Sequence, residues 1–126
     1  MKFALPILAL IAGIVAAYFV RFPANAVPRE YVGVAALAGF DTLLGGIRAG
    51  LEARFKADLF ATGFVFNILL GMGLVYLGTK LGIEVYLAAV VALGGRIFAN
   101  LSIIRRHYLA RWTDAREKRN MEVSQL

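Results

Sequence analysis

Long uncharged runs, separated by short charged segments, constrain this chain more than any other feature. The hydrocarbon core of a bilayer is ~30 Å thick, and a helix crosses it with about 20 residues. Between the runs lie a segment with two prolines at 22–30, a charged segment at 48–58 and a tight turn at Lys80-Leu81-Gly82. The runs predict four membrane-spanning helices, at about residues 3–20, 31–47, 59–79 and 83–104.

The composition agrees with a membrane protein and not with a soluble domain. Apolar residues make up 60% of the chain, charged residues 17%, and the mean hydropathy is +0.72. Soluble domains are nearer half apolar and one quarter charged. We therefore predict an all-α integral membrane bundle of four transmembrane helices over residues 1–108, followed by a basic cytoplasmic tail over residues 109–126.

The distribution of Lys and Arg predicts the orientation, because loops rich in these residues stay in the cytoplasm. Ten of the fourteen flank one side of the predicted spans, three flank the other, and Arg96 falls inside the fourth span. This count places both termini in the cytoplasm. An alternative is a signal peptide cleaved near Ala24-Asn25-Ala26. The length of the first apolar run and its single preceding Lys argue against cleavage.

Three polar residues fall inside predicted spans, where each is costly unless it faces protein or water. Helical rise places Asp41 ~15 Å and Arg96 ~20 Å from the outer face, with Asn67 ~18 Å from it. We predict an ion pair between Asp41 and Arg96 near the midplane, with Asn67 close by. One interpretation is a proton relay, an ion path or a substrate site. The other is a neutralised pair that only sets helix register.

Glycines and polar residues at the inner ends of the helices form a second candidate group. Gly45-Gly46 is expected either to kink the second helix or to let another helix pack closely, and the same holds for Gly94-Gly95. Asp41, Gly45, Arg48 and Glu52 share one helical stripe, and Asn100 ends a similar stripe on the last helix. We expect Gly45, Gly46, Arg48 and Asn100 to serve helix packing at the inner face.

The C-terminal segment combines basic and aromatic residues. Such a segment favours contact with anionic lipid head groups, and each Lys or Arg near the surface contributes ~1 kcal/mol. It is alternatively a docking segment for a protein partner. Nucleic-acid binding is disfavoured because the chain between the basic stretches is too apolar. The predicted contact residues are Arg105, Arg106, Arg111, Trp112 and Arg116.

Catalysis and metal binding are not expected. The chain has no cysteine and a single His, His107, which lies beside two arginines. Neither Ser102 nor Ser124 has a His near it in sequence, and the carboxylates lie at scattered depths. We therefore predict a protein that is not an enzyme and has no cofactor or metal.

Four strings together resemble the bacterial small basic protein family, and the resemblance covers about residues 3–113. Members are small integral membrane proteins of Gram-positive and related bacteria, and their function is not established. Their genes often neighbour cell-division genes. The strings are FDTLLGGIRAGLE (40–52), GFVFNILLG (63–71), LGIEVYLAAV (81–90) and RIFANLSIIRRHYLARWT (96–113).

The resemblance implies a multi-pass protein of the bacterial cytoplasmic membrane and an envelope or division role by association. It also implies which residues are characteristic of the family: Asp41, Gly45, Gly46, Arg48, Asn67, Arg96, Asn100, Arg105 and Arg106.

Two hypotheses for function follow. The first is a scaffold without enzymatic activity that forms a homo-oligomer and recruits a membrane or division-associated protein through its tail. The second is a small oligomeric channel or transporter that uses Asp41 and Arg96. Contact between these two residues in a dry bundle would favour the first hypothesis, and a wet cavity would favour the second.

Overall fold

A computed structural model describes residues 4–20 and 26–125, with part of the side chains in the first helix left out. The described residues form four helices and no strand, which confirms the all-α class. The helices are α1 (Ala4–Val20), α2 (Arg29–Leu51), α3 (Ala57–Leu81) and α4 (Val85–Ser124).

The ends of the helices follow from local sequence. Pro28 precedes α2, and its carbonyl accepts the Tyr31 N–H at 3.1 Å. Gly82 ends α3 with a φ of 68°, a left-handed conformation that costs glycine little. The Ile83 N–H then donates to the Gly78 carbonyl at 3.1 Å, so the chain reverses tightly into α4. The chain therefore turns at Gly82, the last residue of the predicted turn, whereas Lys80 and Leu81 belong to α3.

Helices α2, α3 and α4 pack together, with α2 against both of the others. The first parts of α2 and α4 meet the last part of α3 around Val34, Val75 and Ala89, one buried residue from each helix. Cross-helix contacts show that α2 and α3 are antiparallel, whereas α2 and α4 run parallel. Partly buried side chains surround this core: Tyr31, Leu74, Tyr86, Val90 and Leu93.

Two glycines allow the close approach of α2 and α3. A Cβ built on Gly71 would lie 2.6 Å from Cγ1 of Val34, and one on Gly46 would lie 2.7 Å from Cε2 of Phe60. Close packing is therefore the outcome at Gly45-Gly46, and α2 continues through the pair without a break. Gly94-Gly95 also lies inside an unbroken helix, with no neighbouring atom within 4 Å of either added Cβ.

Helix α1 does not join the bundle, which corrects the prediction of four helices packed together. It contacts only α2, and its described side chains are all exposed. Small residues recur at every fourth position of α1; of these, Ala9 and Gly13 are exposed, and the side chain of Ala17 lies outside the described part. The alternative cleavage site at Ala24-Asn25-Ala26 falls largely outside the described residues. A uniformly apolar helix carries no polar group that selects one packing face, which accounts for the difference.

Three helices among the described residues are long and apolar enough to cross a membrane: α2, α3 and α4. The last of these has 40 residues, which at 1.5 Å per residue corresponds to ~60 Å. The predicted boundary between bundle and tail, at residue 108, lies within this continuous helix. Every described residue from Arg105 onward is exposed except His107, which is half-buried.

Candidate functional site

A buried ion pair joins α2 to α4. Nη2 of Arg96 lies 3.0 Å from Oδ2 of Asp41, so the predicted pairing is present. The Asp41 side chain is fully buried, whereas 60% of the Arg96 side chain is exposed. Oδ2 accepts no hydrogen bond from the described residues, and charge attraction alone satisfies it. The negative member of the pair is thus enclosed by protein and the positive member is not.

Asn100 extends this pair toward the C-terminal end of α2. Its Nδ2 donates a long hydrogen bond of 3.5 Å to Oδ1 of Asp41, and its Oδ1 accepts one of 3.4 Å from Nη1 of Arg48. The two residues on α2 are seven apart, or two turns, so they lie on the same face. Asn100 is itself buried. A polar seam, formed by Asp41, Arg48, Arg96 and Asn100, therefore runs between the parallel helices α2 and α4.

The segment after α2 adds two charges to the end of this seam. Nε of Arg48 lies 3.1 Å from Oε1 of Glu52, and Nη2 of Arg54 contacts Oε2 of the same carboxylate. Hydrogen bonds from Arg54, and then from Arg48, hold the pKa of Glu52 below its usual range. Glu52 thus remains ionised between two guanidinium groups.

A Schellman motif brings Arg54 back to the helix. The Arg54 N–H donates to the Ala49 carbonyl at 2.8 Å, and the Ala53 N–H to the Gly50 carbonyl at 3.2 Å. Ala53 has a φ of 56°, a left-handed conformation that costs a residue with a Cβ about 1–2 kcal/mol. Alanine there, in place of the usual glycine, gives the motif no sequence signal, although α2 and α3 themselves extend into the predicted charged segment, to Leu51 and from Ala57.

Asn67 lies near the ion pair but does not bond to it. Its Nδ2 donates to Oγ1 of Thr42 at 3.1 Å, and that hydroxyl donates to the Ala38 carbonyl at 2.9 Å. Asn67 shares the wall of one cavity with Asp41 and Arg96, but its hydrogen-bond partner Thr42 was not among the predicted residues. The sequence does contain a signal for this contact. Thr42 directly follows Asp41 on α2 and therefore faces a different neighbouring helix.

Two cavities lie beside the seam. The larger, of about 430 Å³, is lined by Arg48, Glu52, Arg54, Arg96 and Asn100 among others. The smaller, of about 230 Å³, reaches from the α2–α3 connection to the ion pair, and its polar lining comprises Asp41, Thr42, Arg54, Lys56, Asn67 and Arg96.

The other predicted residues fall into two groups. Gly45 lies 3.8 Å from Nδ2 of Asn100, measured from an added Cβ, and so borders the polar seam. The predicted lipid or partner contacts are far along α4 and touch none of the seam residues through a described hydrogen bond or ion pair. They are Arg105, Arg106, Arg111, Trp112 and Arg116, all exposed. No three His, Cys, Asp or Glu side chains in the described part of the chain are grouped to hold a metal ion.

The fold and seam define a class of small all-helical proteins with several membrane-length helices and a charged seam between two of them. A family model described as "Protein of unknown function (DUF1290)" matches residues 24–109. The "Small basic protein" of Bacillus subtilis (strain 168) is 40% identical over 118 residues, covering 93% of this chain and 98% of that protein. The chain belongs to this small basic protein family.

A more distant relative is an uncharacterized protein of Mycobacterium tuberculosis (strain ATCC 25618 / H37Rv). It is 39% identical over 102 residues, covering 79% of this chain and 84% of that protein. No solved structure matches the chain. The family membership agrees with the resemblance found in the sequence.

Proposed function

We propose that this chain is a scaffold of the bacterial cytoplasmic membrane, without enzymatic activity, that self-associates and presents its C-terminal helix to a partner. In this proposal all four helices cross the membrane and both termini are cytoplasmic. The observation that carries it is the continuation of α4 well beyond the length that a membrane requires. Residues 105–124 extend this helix by ~30 Å, and almost all of their side chains are exposed.

The exposed end of α4, residues 105–124, which we call the arm, has the chemistry of a docking helix. Tyr108 and Trp112 are four residues apart and so share a face, with 55% and 79% of each residue exposed. Basic residues surround them, as Arg111 and Arg116 do for Trp112. Aromatic and Arg side chains are those that contribute most at protein interfaces. The partner surface is therefore expected to be acidic with an apolar centre.

Self-association is supported by the exposed side of Arg96 and not by the exposed apolar surface. Large apolar side chains are exposed on every helix, and lipid can cover them. The exposed side of Arg96 is different, because a guanidinium facing lipid is costly. A second copy of the chain provides one way of covering it. Genes of the family often neighbour cell-division genes, so the partner expected for this scaffold is a division-associated protein.

Truncation after Thr113 tests the recruitment role. We expect the truncated chain to keep its helical spectrum and its oligomer in detergent, and to lose the proteins crosslinked to the intact chain in living cells. The truncated chain keeps Trp112, so a full-length variant with Trp112→Ala and Arg116→Ala tests the docking face itself; it should lose the same partners while the arm keeps its length. Recovery of the same crosslinked proteins by both variants would refute recruitment through the arm.

A channel or transporter is the second candidate, because the smaller cavity reaches the buried carboxylate of Asp41. Against it, the packed residues Val34, Val75 and Ala89 fill the other half of the bundle, so a path through one chain is not favoured. Flux into liposomes by the wild type and by Asp41→Asn, at equal protein content, distinguishes the candidates. A flux that depends on Asp41 would favour transport, and the absence of flux in both proteins would favour the scaffold.

A further inference from the structure

We propose that the two cavities at the C-terminal end of α2 form one binding site for a phosphate group, carried by an acidic phospholipid or by a soluble phosphate ion. This inference rests on the membrane placement in the proposed function but not on recruitment through the arm. The cavities share Gly45, Ala49, Arg54 and Arg96 in their walls. They are therefore treated as one basic site.

The charges of the site favour an anion. Its lining contains four cationic side chains and only two carboxylates, which leaves an excess of two positive charges. Each carboxylate is already engaged, Asp41 by Arg96 and Glu52 by two arginines. The cations are Arg48, Arg54, Lys56 and Arg96.

The arginines retain donors for a ligand. A guanidinium has five N–H groups and binds phosphate oxygens in pairs. Arg48 donates two hydrogen bonds to described residues and Arg54 donates one. Arg96 has an ion-pair contact but donates no hydrogen bond to a described residue, and much of its side chain is exposed. The volume of the larger cavity, about 430 Å³, is within the range of small-molecule sites.

The position of the site favours a lipid head group as the source of the phosphate. The charge count places this end of α2 at the cytoplasmic interface, where basic pockets between transmembrane helices bind acidic head groups. A phosphate there would supply acceptors to Arg96, whose exposed side is otherwise unfavourable inside a membrane. Gly45, Ala49 and Ala99 leave the walls without bulky side chains.

Native mass spectrometry of the purified full-length protein in detergent tests the site. Binding of phosphatidylglycerol is compared with binding of phosphatidylcholine, and inorganic phosphate is added as competitor. In Arg54→Gln we expect phosphatidylglycerol affinity to fall roughly fivefold, the effect of one Lys or Arg near a lipid surface. Arg119→Gln is the matched control, since it removes one exposed positive charge from the far end of the arm, and its affinity should be unchanged.

A second pair of variants leaves the charge constant. Ala99→Leu places a larger side chain in the wall of the larger cavity and should reduce binding, whereas Ala92→Leu, also exposed on α4, should not. Displacement of the lipid by millimolar inorganic phosphate would identify a soluble phosphate site, and resistance to displacement would identify a lipid site.

Three outcomes would overturn the proposal: equal binding of both lipids, equal losses in Arg54→Gln and Arg119→Gln, or no binding of lipid or phosphate. A chain truncated after Thr113 keeps the whole site and should bind phosphatidylglycerol as the intact chain does. Loss of partner recruitment with retained lipid binding would therefore separate a failure of one proposal from a failure of the other.

Discussion

Individual residues of the seam differ in how much protein surrounds them, and this difference decides what each contributes. Asp41 is fully buried and has opposite it a guanidinium that is mostly exposed. A buried charge that loses its partner is strongly destabilising. Arg96 is less enclosed and lines a cavity together with Glu52, so its guanidinium keeps polar surroundings without Asp41. The two members of the pair are therefore expected to respond unequally to substitution.

Substitution of Arg96 should cost more stability than substitution of Asp41. Arg96→Gln leaves a buried carboxylate without its cation, and we expect a loss of about 3 kcal/mol in the free energy of unfolding. Asp41→Asn leaves an exposed guanidinium and keeps an acceptor for Asn100, so we expect about 1 kcal/mol. Unfolding titrations in detergent micelles provide the measurement.

The double variant, Asp41→Asn with Arg96→Gln, is the control for this pair. It should recover most of the stability that Arg96→Gln loses, because no charge then remains buried. Additive losses in the double variant would show that the two side chains do not interact energetically.

The pH dependence of stability is expected to report on Glu52. Its pKa in the folded protein is below the ordinary value because Arg54 and Arg48 donate hydrogen bonds to the carboxylate. In the pH range below that ordinary value the unfolded chain binds the proton more readily, so the stabilisation is lost as the pH falls through the folded-state pKa.

Glu52→Gln removes this titration, and Asp58→Asn serves as the comparison because Asp58 is exposed at the start of α3. The melting temperature of Glu52→Gln should change less between pH 6 and pH 3 than that of the wild type. Equal acid sensitivity of the wild type and Glu52→Gln would contradict a stabilising role for the contacts of Glu52 with Arg48 and Arg54.

At the scale of elements, the contact between α2 and α3 depends on the absence of a side chain at two points. Gly71 lies against the buried Val34, and Gly46 lies against the ring of Phe60. Interiors are packed closely enough that an added methyl group in such a contact must displace a neighbour. Glycine 73, two residues along the same helix, has open space around it.

Gly71→Ala and Gly73→Ala should therefore have opposite effects. We expect Gly71→Ala to lower the free energy of unfolding by about 1–3 kcal/mol through overpacking. Gly73→Ala should raise it by up to about 1 kcal/mol, because alanine is the better helix former. Thermal unfolding followed by circular dichroism in detergent measures both. Equal destabilisation by Gly71→Ala and Gly73→Ala would show that the contact between Gly71 and Val34 does not distinguish the two positions.

The path of the chain across the membrane is a property of the whole molecule that labelling can measure. The absence of cysteine from the sequence allows single cysteines to be introduced without background. The proposed topology places the α3–α4 turn outside and both termini inside. Helix α1, which packs outside the three-helix bundle, decides whether the number of spans is three or four.

Labelling of intact cells with a membrane-impermeant maleimide measures this path. We expect Ile83→Cys to be labelled and Ser124→Cys to be labelled only after the membrane is opened. Lys2→Cys should behave like Ser124→Cys if α1 crosses the membrane. Labelling of Lys2→Cys from outside would show that α1 does not cross, and labelling of Ser124→Cys would reverse the proposed orientation.

The order of residues along the chain determined much of this protein. The four helices and the turn at Gly82 were predicted from the apolar runs and the segments between them, and the family was identified from the resemblance of four strings. The reason is that a run of about 20 apolar residues, or a residue at a given number of turns, converts directly into distance along a helix axis. The pairing of Asp41 with Arg96 followed from matching such distances.

The position of a residue along a helix axis does not say how the helix is rotated about that axis. This rotation, which decides the neighbour that each side chain contacts, is set by the tertiary structure. Asn67 donates a hydrogen bond to Thr42 and not to the ion pair, whereas Asn100 links Asp41 with Arg48. The contact of Arg54 with Glu52 depends on the left-handed conformation of Ala53, which no sequence pattern signals. The exclusion of α1 from the bundle is likewise a matter of packing faces, because an evenly apolar helix is satisfied as well by lipid as by protein.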